Sequence, residues 1–367
     1  MTVSAYIFSF ILYVYELLAP EVTEGNYIMI EMNKAIESPN EESNKPVGLK
    51  NQGTTGWLSV VLQVFYHIKV LRKTIYSVPT GEKHEAGFIW ALQRVFYSMQ
   101  TSKKAVSTKE LTDALGWGPA DLAPQDVQRW QSTFHEELAT RTEMLPIRHI
   151  LEHLLVGQTM SCVSFSPQEK RSWRLEIFWE MPLNVRNLRS LDESLQDYIQ
   201  PWYLEPENDS INTVVMFDKF PPILNLHLKR FTYDPAVDDF KKVDDFFEFP
   251  EEIDLGPFVE SSDPASKSES WIYRLVSVVV HEGSYEGGVY YVYVRPEKDG
   301  GFFKIHDEQV TPVPLPEVFE AGYGSVEGGN GEGWSKTATL LCYCRMSRLD
   351  DIFVDIADSD IPTSVHD

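Results

Sequence analysis

Residues Val47–Leu62 read VGLKNQGTTGWLSVVL, a polar turn that runs directly into an apolar segment. Asparagine, glycine and threonine favour the turn, because their small or short polar side chains accommodate a tight backbone. From Trp57 to Tyr76 apolar residues occupy nearly every face at helical spacing, which predicts one buried helix. Such a junction presents unpaired backbone N–H groups and the positive end of the helix dipole. A cysteine placed there would be a low-pKa nucleophile, but the junction holds Gly56.

The rest of the chain changes character near residue 160. Helices are predicted over Phe88–Gln100, Ser107–Leu115 and Asp126–Thr140, and Ser107 and Glu110 fit a capping box. Short β-branched and aromatic runs follow, at Thr213–Phe217, Ile223–Phe231, Tyr273–His281, Val289–Arg295, Phe302–Ile305 and Thr337–Arg345. Helices first and antiparallel strands later predict an α+β fold with two packed subregions.

The charge composition narrows the classes of molecule that the protein could bind. The 367 residues carry 55 acidic and 32 basic side chains, a formal net charge of −23. A nucleic-acid partner is disfavoured, because phosphate recognition needs a basic surface. The acidity suits a basic partner, and it also favours solubility. A hydrophobic content of 43% is enough for a buried core.

The three cysteines are Cys162, Cys342 and Cys344. Their odd number and the absence of a Cys-x-x-Cys pair argue against a disulfide framework and against a zinc site. We therefore expect no metal and no cofactor, and a reducing compartment, the cytoplasm or the nucleus. Cys342 and Cys344 are two residues apart, so a strand would place both on one face.

The two ends of the chain are predicted to be accessory. The apolar segment Tyr6–Leu18 has 13 residues, fewer than the ~20 that a membrane-spanning helix needs, and no basic residue precedes it as a secretion signal would require. Residues 1–45 are interpreted as an extension and linker, residues 46–346 as the main domain, and residues 347–367 as an acidic helix or tail. Membrane association and secretion are disfavoured, and the role of the apolar segment stays open.

The junction resembles the cysteine box of the ubiquitin-specific proteases, Gly-Leu-x-Asn-x-Gly-x-Thr-Cys-Tyr. Gly56 stands at the position of the cysteine and Trp57 at that of the tyrosine. The resemblance continues in order over about residues 46–362, through Phe88–Gln100, Gly116–Trp117, Gln125–Gln128, Pro221–Asp234, Phe246–Pro250, Val278–Val294 and Ser347–Pro362.

The resemblance implies a papain-like cysteine-protease fold of thumb, palm and fingers, with the thumb at about 46–155 and the fingers and palm at about 156–346. It also implies that the catalytic triad is lost. The family's Gly-Gly-His-Tyr box reads Gly287-Gly288-Val289-Tyr290, so Val289 stands where the general base should be. An ungapped count puts His306 at the third triad position, and Asn51 matches the oxyanion-hole side chain.

The same comparison suggests a remnant of a binding channel for the basic C-terminal tail of ubiquitin. Asp126 keeps an acid of the family's channel, whereas Arg129 reverses the charge of another. Gly287, Gly288 and Tyr290 would fit around a narrow Gly-Gly tail. Simpler roles are open as well: helix capping for Asn51 and Asp126, and packing for Tyr290.

Three functions follow from these observations. The favoured one is an inactive pseudo-deubiquitinase that binds ubiquitin weakly or scaffolds partners, which the sequence does not identify. The second is an active cysteine-type deubiquitinase, against which Gly56 argues. The third is a degenerate paralogue without a ligand, which Arg129 favours.

Overall fold

The computed structural model describes residues 45–80, 87–165, 170–200, 202–203, 211–235, 238–260, 269–325 and 335–366. The predictions for the apolar segment Tyr6–Leu18 and for most of the linker lie outside these residues.

Helices dominate the described chain before residue 156. They are α1 (Gly56–His67), α2 (Lys69–Tyr76), α3 (Phe88–Thr101), α4 (Lys109–Ala114), α5 (Val127–Thr142) and α6 (Ile147–Leu155). Every residue of α1 after Gly56 is buried, as a helix that is apolar on all sides should be. α3 and α5 pack around α1, and the rings of Phe65 and Phe134 stack with centroids 4.5 Å apart.

The prediction of a single helix over Trp57–Tyr76 is wrong. The backbone leaves the helical region at Ile68, with φ −83° and ψ 92°, and bends there before α2 begins. Ile68 itself is buried. The ammonium group of Lys69, the first residue of α2, reaches the carboxylate of Glu297 at 2.7 Å. A sequence that is apolar on every face cannot reveal such a bend, because both halves stay buried with or without it.

The predicted capping box is also wrong. Ser107 belongs to strand β2 (Val106–Ser107), which pairs in parallel with β1 (Leu49–Lys50). α4 begins one residue after Thr108, and Glu110 accepts a hydrogen bond from Arg94 at 2.9 Å instead of capping the helix. Pairing with β1 holds Ser107 in extended backbone, so the helix starts later than its local pattern indicates.

The second half of the described chain is built on a large mixed sheet. Its strands are β5 (Met181–Leu183), β8 (Ile223–Leu228), β11 (Glu252–Asp254), β12 (Ile272–Gly283), β13 (Gly288–Val294), β14 (Phe302–His306), β15 (Gln309–Val313) and β16 (Lys336–Arg345). The order is β15-β14-β13-β12-β16-β8-β5, and β11 pairs with β12. β5 and β8 pair in parallel, and the other neighbours are antiparallel.

A separate four-stranded sheet and a hairpin complete the strands. The sheet has the order β4-β3-β7-β6, formed by β3 (Gly157–Phe165), β4 (Lys170–Phe178), β6 (Trp202–Tyr203) and β7 (Ile211–Lys219). The hairpin consists of β9 (Phe231–Asp234) and β10 (Asp239–Lys242). The sequence patterns did not predict β3, β4, β6 or β10. Polar residues interrupt β3, β4 and β10, and β6 has only two residues.

The large sheet carries a core on each face. Val276 and Val279 of β12 pack with the helices α1–α6, whereas Leu275 and Val278 pack with α7 (Leu191–Ile199) and α8 (Leu315–Gly322). Cys342 and Cys344 of β16 are both buried on the side of α1–α6, so the prediction that they share a face is confirmed. The structure thus confirms the α+β class.

The C-terminal residues pack onto the helical part rather than projecting from it. After the short helix α9 (Leu349–Ile352), two turns of 3₁₀ helix carry Ile361 and Val365 into the core with α3. The carbonyl of Ser364 accepts a hydrogen bond from the indole of Trp90 at 3.3 Å. Pro46–Asp367 therefore forms one unit.

Candidate functional site

A polar turn positions the start of α1. Asn51 Oδ1 accepts a hydrogen bond from the backbone N–H of Thr55 at 3.0 Å. The N–H of Gln52 donates to Thr55 Oγ1 at 2.9 Å. Gly53 has φ +115°, a conformation that L side chains rarely adopt. Asn51 thus stabilises the turn, and the turn places Gly56 in the lining of a cleft.

Gly56 is the first residue of α1, where the N–H groups have no intrahelical partner. A Cβ atom built on it would lie 3.7 Å from the carbonyl oxygen of Tyr290 and 3.9 Å from Asp307 Oδ1. These are ordinary van der Waals distances, so the surroundings accept a side chain. The glycine is not required by crowding, and it leaves the position without a nucleophile.

The cleft has a volume of about 630 Å³. It lies between the turn before α1, the start of α5, the hairpin β9–β10, the connection from β12 to β13, and the turn after β14. Its lining includes Asn51, Gly56, Asp126, Gly287, Gly288, Val289, Tyr290 and His306. The structure therefore brings together all of the predicted site residues except Arg129, which is exposed on α5 and does not line the cleft.

Asp126 and Tyr290 form one wall. Asp126 caps α5, and its carboxylate accepts a hydrogen bond from the N–H of Gln128 at 3.1 Å. Burial raises the pKa of Asp126, and that hydrogen bond offsets part of the rise. Burial also raises the pKa of the Tyr290 phenol well above its usual range, the charge of Asp126 adds to the rise, and the N–H of Val127 opposes it. The phenol stays protonated beside a carboxylate at the start of α5.

Val289, at the position that the resemblance assigns to the general base, lines the cleft. It lies on β13, with 37% of its surface exposed, and an isopropyl group cannot accept a proton. Two imidazoles line the cleft, those of His281 and His306. His281 packs on Tyr290 with ring centroids 4.7 Å apart. Burial, followed by the charge of Lys242, lowers the pKa of His281 to about 4. His281 is therefore a neutral packing group near pH 7.

The two glycines before Val289 differ in their surroundings. A Cβ on Gly288 would come within 2.5 Å of the Glu282 carbonyl oxygen and 2.6 Å of His281 Nε2, so this position requires glycine. A Cβ on Gly287 would meet no atom within 4 Å. The close approach of β13 to β12 explains the glycine at position 288 but not the one at position 287.

The turn after β14 brings a carboxylate into the site that the sequence reasoning missed. His306 lines the cleft as predicted, but Asp307 makes the contact with the turn before α1. Asn51 Nδ2 donates to Asp307 Oδ2 at 3.0 Å, and the N–H of Leu49 donates to the Asp307 carbonyl at 2.9 Å. Asp307 Oδ1 is buried and has no hydrogen-bond partner among the described residues. The signal was present in the sequence as an acid directly after His306.

An aromatic rim was also missed. Phe231 and Phe240 of the hairpin β9–β10 and Tyr285 of the β12–β13 connection line the cleft. The rings of Phe240 and Tyr285 stack with centroids 5.6 Å apart. Phe240 and Tyr285 remain about half exposed, at 49% and 45%. The cleft thus combines an aromatic rim with carboxylates.

No group of metal-ligating side chains was found among the described residues. The same residues include no helix long and apolar enough to cross a membrane.

The comparison with known proteins gives the family. Residues 47–343 match the family model described as ubiquitin carboxyl-terminal hydrolase. This chain belongs to the ubiquitin carboxyl-terminal hydrolase family. It is 36% identical over 337 residues to ubiquitin carboxyl-terminal hydrolase 15 of Schizosaccharomyces pombe, covering 87% of this chain and 30% of that protein. It is 32% identical over 359 residues to ubiquitin carboxyl-terminal hydrolase 7 of Drosophila melanogaster, covering 93% of this chain and 31% of that protein.

Membership of the hydrolase family bears out the resemblance, and with it the papain-like fold of the ubiquitin-specific proteases. The chain spans about 30% of the length of these hydrolase relatives.

Proposed function

We propose that this member of the ubiquitin carboxyl-terminal hydrolase family binds ubiquitin without hydrolysing its conjugates. The observation that carries the loss of hydrolysis is Gly56, which faces the cleft at the start of α1 and offers no attacking atom. In a serine protease, loss of the nucleophile alone costs ~10⁶ in rate. A hydrogen-bonding amide at Asn51 cannot compensate, because transition-state stabilisation still needs an attacking group.

The neighbouring side chains do not replace the nucleophile. Thr55 is buried, and its hydroxyl accepts a hydrogen bond from Gln52 and lies 3.3 Å from Asn51 Oδ1. A hydroxyl also needs a base within reach, and Val289 supplies none. The three cysteines are buried and do not line the cleft. Burial raises the pKa of the Cys344 thiol well above its usual value, which disfavours a reactive thiolate.

Ubiquitin binding is supported by what the cleft retains. Asp126 offers a carboxylate to a basic tail, and a charge-assisted contact with arginine is strong when it is partly buried. Gly288 and Tyr290 keep the cleft narrow along one wall. Arg129, the charge reversal, is exposed, and exposed charge pairs contribute ~0–1 kcal/mol. We therefore propose weak binding, in the cytoplasm or nucleus, where three free thiols would persist.

Three measurements on the full chain test the proposal. A fluorogenic substrate at the ubiquitin C-terminus should show no turnover, and an electrophilic ubiquitin probe should not label the protein. Titration with ubiquitin should give a saturable signal. Turnover or labelling would favour an active deubiquitinase instead, whereas the absence of both turnover and binding would favour a degenerate paralogue.

A further inference from the structure

The cleft holds, beside Gly56, a buried hydrogen-bond acceptor that has no donor among the described residues. Asp307 Oδ2 accepts from Asn51, but Oδ1 is buried and has no partner among the described residues. It lies 3.9 Å from the position that a Cβ on Gly56 would take. A buried acceptor without a partner is costly, so a ligand that ends here and supplies an N–H is stabilised by that pairing.

We propose that this acceptor makes the cleft selective for ubiquitin whose C-terminus is joined to an amine, over free ubiquitin. The inference rests on the proposed function, because it requires the ubiquitin tail to enter the cleft and to end at Gly56. It identifies the partner more narrowly, as ubiquitin conjugates and chains.

The chemistry of the two tails differs at one atom. A free C-terminus ends in a carboxylate, which has no hydrogen to donate and carries a full negative charge. A conjugated C-terminus ends in a neutral amide, whose N–H is a donor. Next to Asp307 Oδ1 the carboxylate meets repulsion, whereas the amide satisfies the unpaired acceptor.

The other charged side chains of the cleft lining also disfavour a ligand that ends in a carboxylate. Asp126 and Glu286 are the other carboxylates, and the described lining contains no lysine or arginine. The start of α1 attracts anions, but a helix terminus is equivalent to about half a positive charge. Three carboxylates outweigh that attraction, so the net field of the cleft disfavours an anionic terminus.

The space at Gly56 permits the neutral terminus to reach the acceptor. Nothing crowds a Cβ at this position, and the nearest atoms belong to the backbone of Tyr290 and to Asp307 itself. In a family member with cysteine, the sulfur would fill that space. Here the loss of the thiol leaves room for the amide end of a conjugate.

The test compares two ligands that differ only at the terminus: ubiquitin with its C-terminal carboxylate and ubiquitin with a C-terminal amide. We expect the amide form to bind ~10-fold more tightly in a calorimetric titration. In Asp307→Asn the difference should fall below ~3-fold, because the acceptor charge is gone. Asparagine suits the φ of +51° at this position, so the turn is expected to survive.

Glu308→Gln is the matched control, because Glu308 is the next residue of the same turn, is exposed and does not line the cleft. It should keep the full preference for the amide, and thermal unfolding should show all three proteins folded. Equal affinity of the wild-type protein for both ligands would overturn the inference and leave the proposed function intact. If neither ligand binds, the proposed function fails and the inference fails with it.

Discussion

Asn51 donates a hydrogen bond from its side-chain amide to the carboxylate of Asp307, across 3.0 Å and 256 positions of sequence. The amide oxygen of the same asparagine accepts from Thr55. Both ends of the Asn51 side chain are therefore engaged in joining the turn before α1 to the turn after β14. The amide nitrogen carries a second hydrogen, so the bond to Asp307 orients this amide and leaves it one donor.

Restoring a nucleophile and a base should recover measurable hydrolysis. Gly56→Cys places a thiol at a helix N-terminus, where the added Cβ makes only ordinary van der Waals contacts, and Val289→His adds an imidazole to the cleft lining. A positioned general base contributes ~10²-fold or more. We therefore expect the double variant to turn over a fluorogenic ubiquitin substrate at least ~10²-fold faster than Gly56→Cys alone.

A third substitution separates the two candidates for the orienting position. Adding His306→Asp should raise the rate further if position 306 orients the base, and should leave it unchanged if Asp307 already does so. If the double and triple variants fold but show no turnover, the prediction is contradicted. The site would then be altered beyond the three triad positions.

Gly288→Ala should destabilise the domain, because its Cβ would approach the Glu282 carbonyl oxygen to 2.5 Å. We expect a loss of about 1–3 kcal/mol in the free energy of unfolding, measured by urea denaturation. Gly287→Ala is the matched control, since its Cβ meets nothing within 4 Å. Equal stability of the two variants would show that β12 and β13 are not held as closely as described.

Stability should fall as the pH drops below about 6.5, because several histidines are buried in the neutral form. Burial lowers the pKa of His135 to about 3 and that of His227 to about 4. Between those values and the unfolded pKa of about 6.5, the unfolded chain binds protons that the native state does not. Each such group therefore lowers the free energy of unfolding by up to ~1.4 kcal/mol for each pH unit of acidification.

His135→Leu should remove one of these contributions and flatten the dependence of stability on pH between 6 and 4. The burial of Asp126 and Glu180, which raises the pKa of each, acts in the opposite sense and is unchanged in the variant. Phe134→Leu is the control, since it perturbs the same core without removing a titrating group. An identical slope in His135→Leu and in the wild-type protein would contradict the assignment.

Arg129→Glu should strengthen ubiquitin binding only slightly. Because Arg129 is exposed and lies outside the cleft lining, the gain should not exceed about 1 kcal/mol, or ~5-fold in the dissociation constant. Arg141→Glu, near the other end of α5, should give no gain. An increase of a hundredfold or more would mean that position 129 is desolvated in the complex.

Much of the fold could be predicted from local pattern. Phe88–Gln100 became α3 with one further residue, and Val289–Arg295 became β13 shifted by one. In both segments the spacing of apolar residues in the sequence matches the residues that are buried, so the local pattern indicates one type of secondary structure. The bend at Ile68 could not be predicted, because a segment that is apolar on every face has the same pattern whether the helix is continuous or bent.

The sequence predicted which residues line the site better than it predicted which of them contact each other. Gly56, Val289 and His306 line one cleft although Gly56 is far from the other two in sequence. Asp307 was missed because an ungapped count assigns one residue to a position, whereas the turn at Asp307, with φ +51°, decides which of the two neighbours contacts Asn51. That choice depends on backbone geometry, which composition and spacing do not contain.

The glycine at the start of α1 also determines how this domain responds to oxidants. Cysteine enzymes are silenced when peroxide or an electrophile modifies the exposed thiolate. Here there is no sulfur at that position, and Cys162, Cys342 and Cys344 are buried. Peroxide that modifies a catalytic thiolate should therefore find no sulfur in the lining of this cleft, and we expect the proposed ubiquitin binding to be insensitive to it.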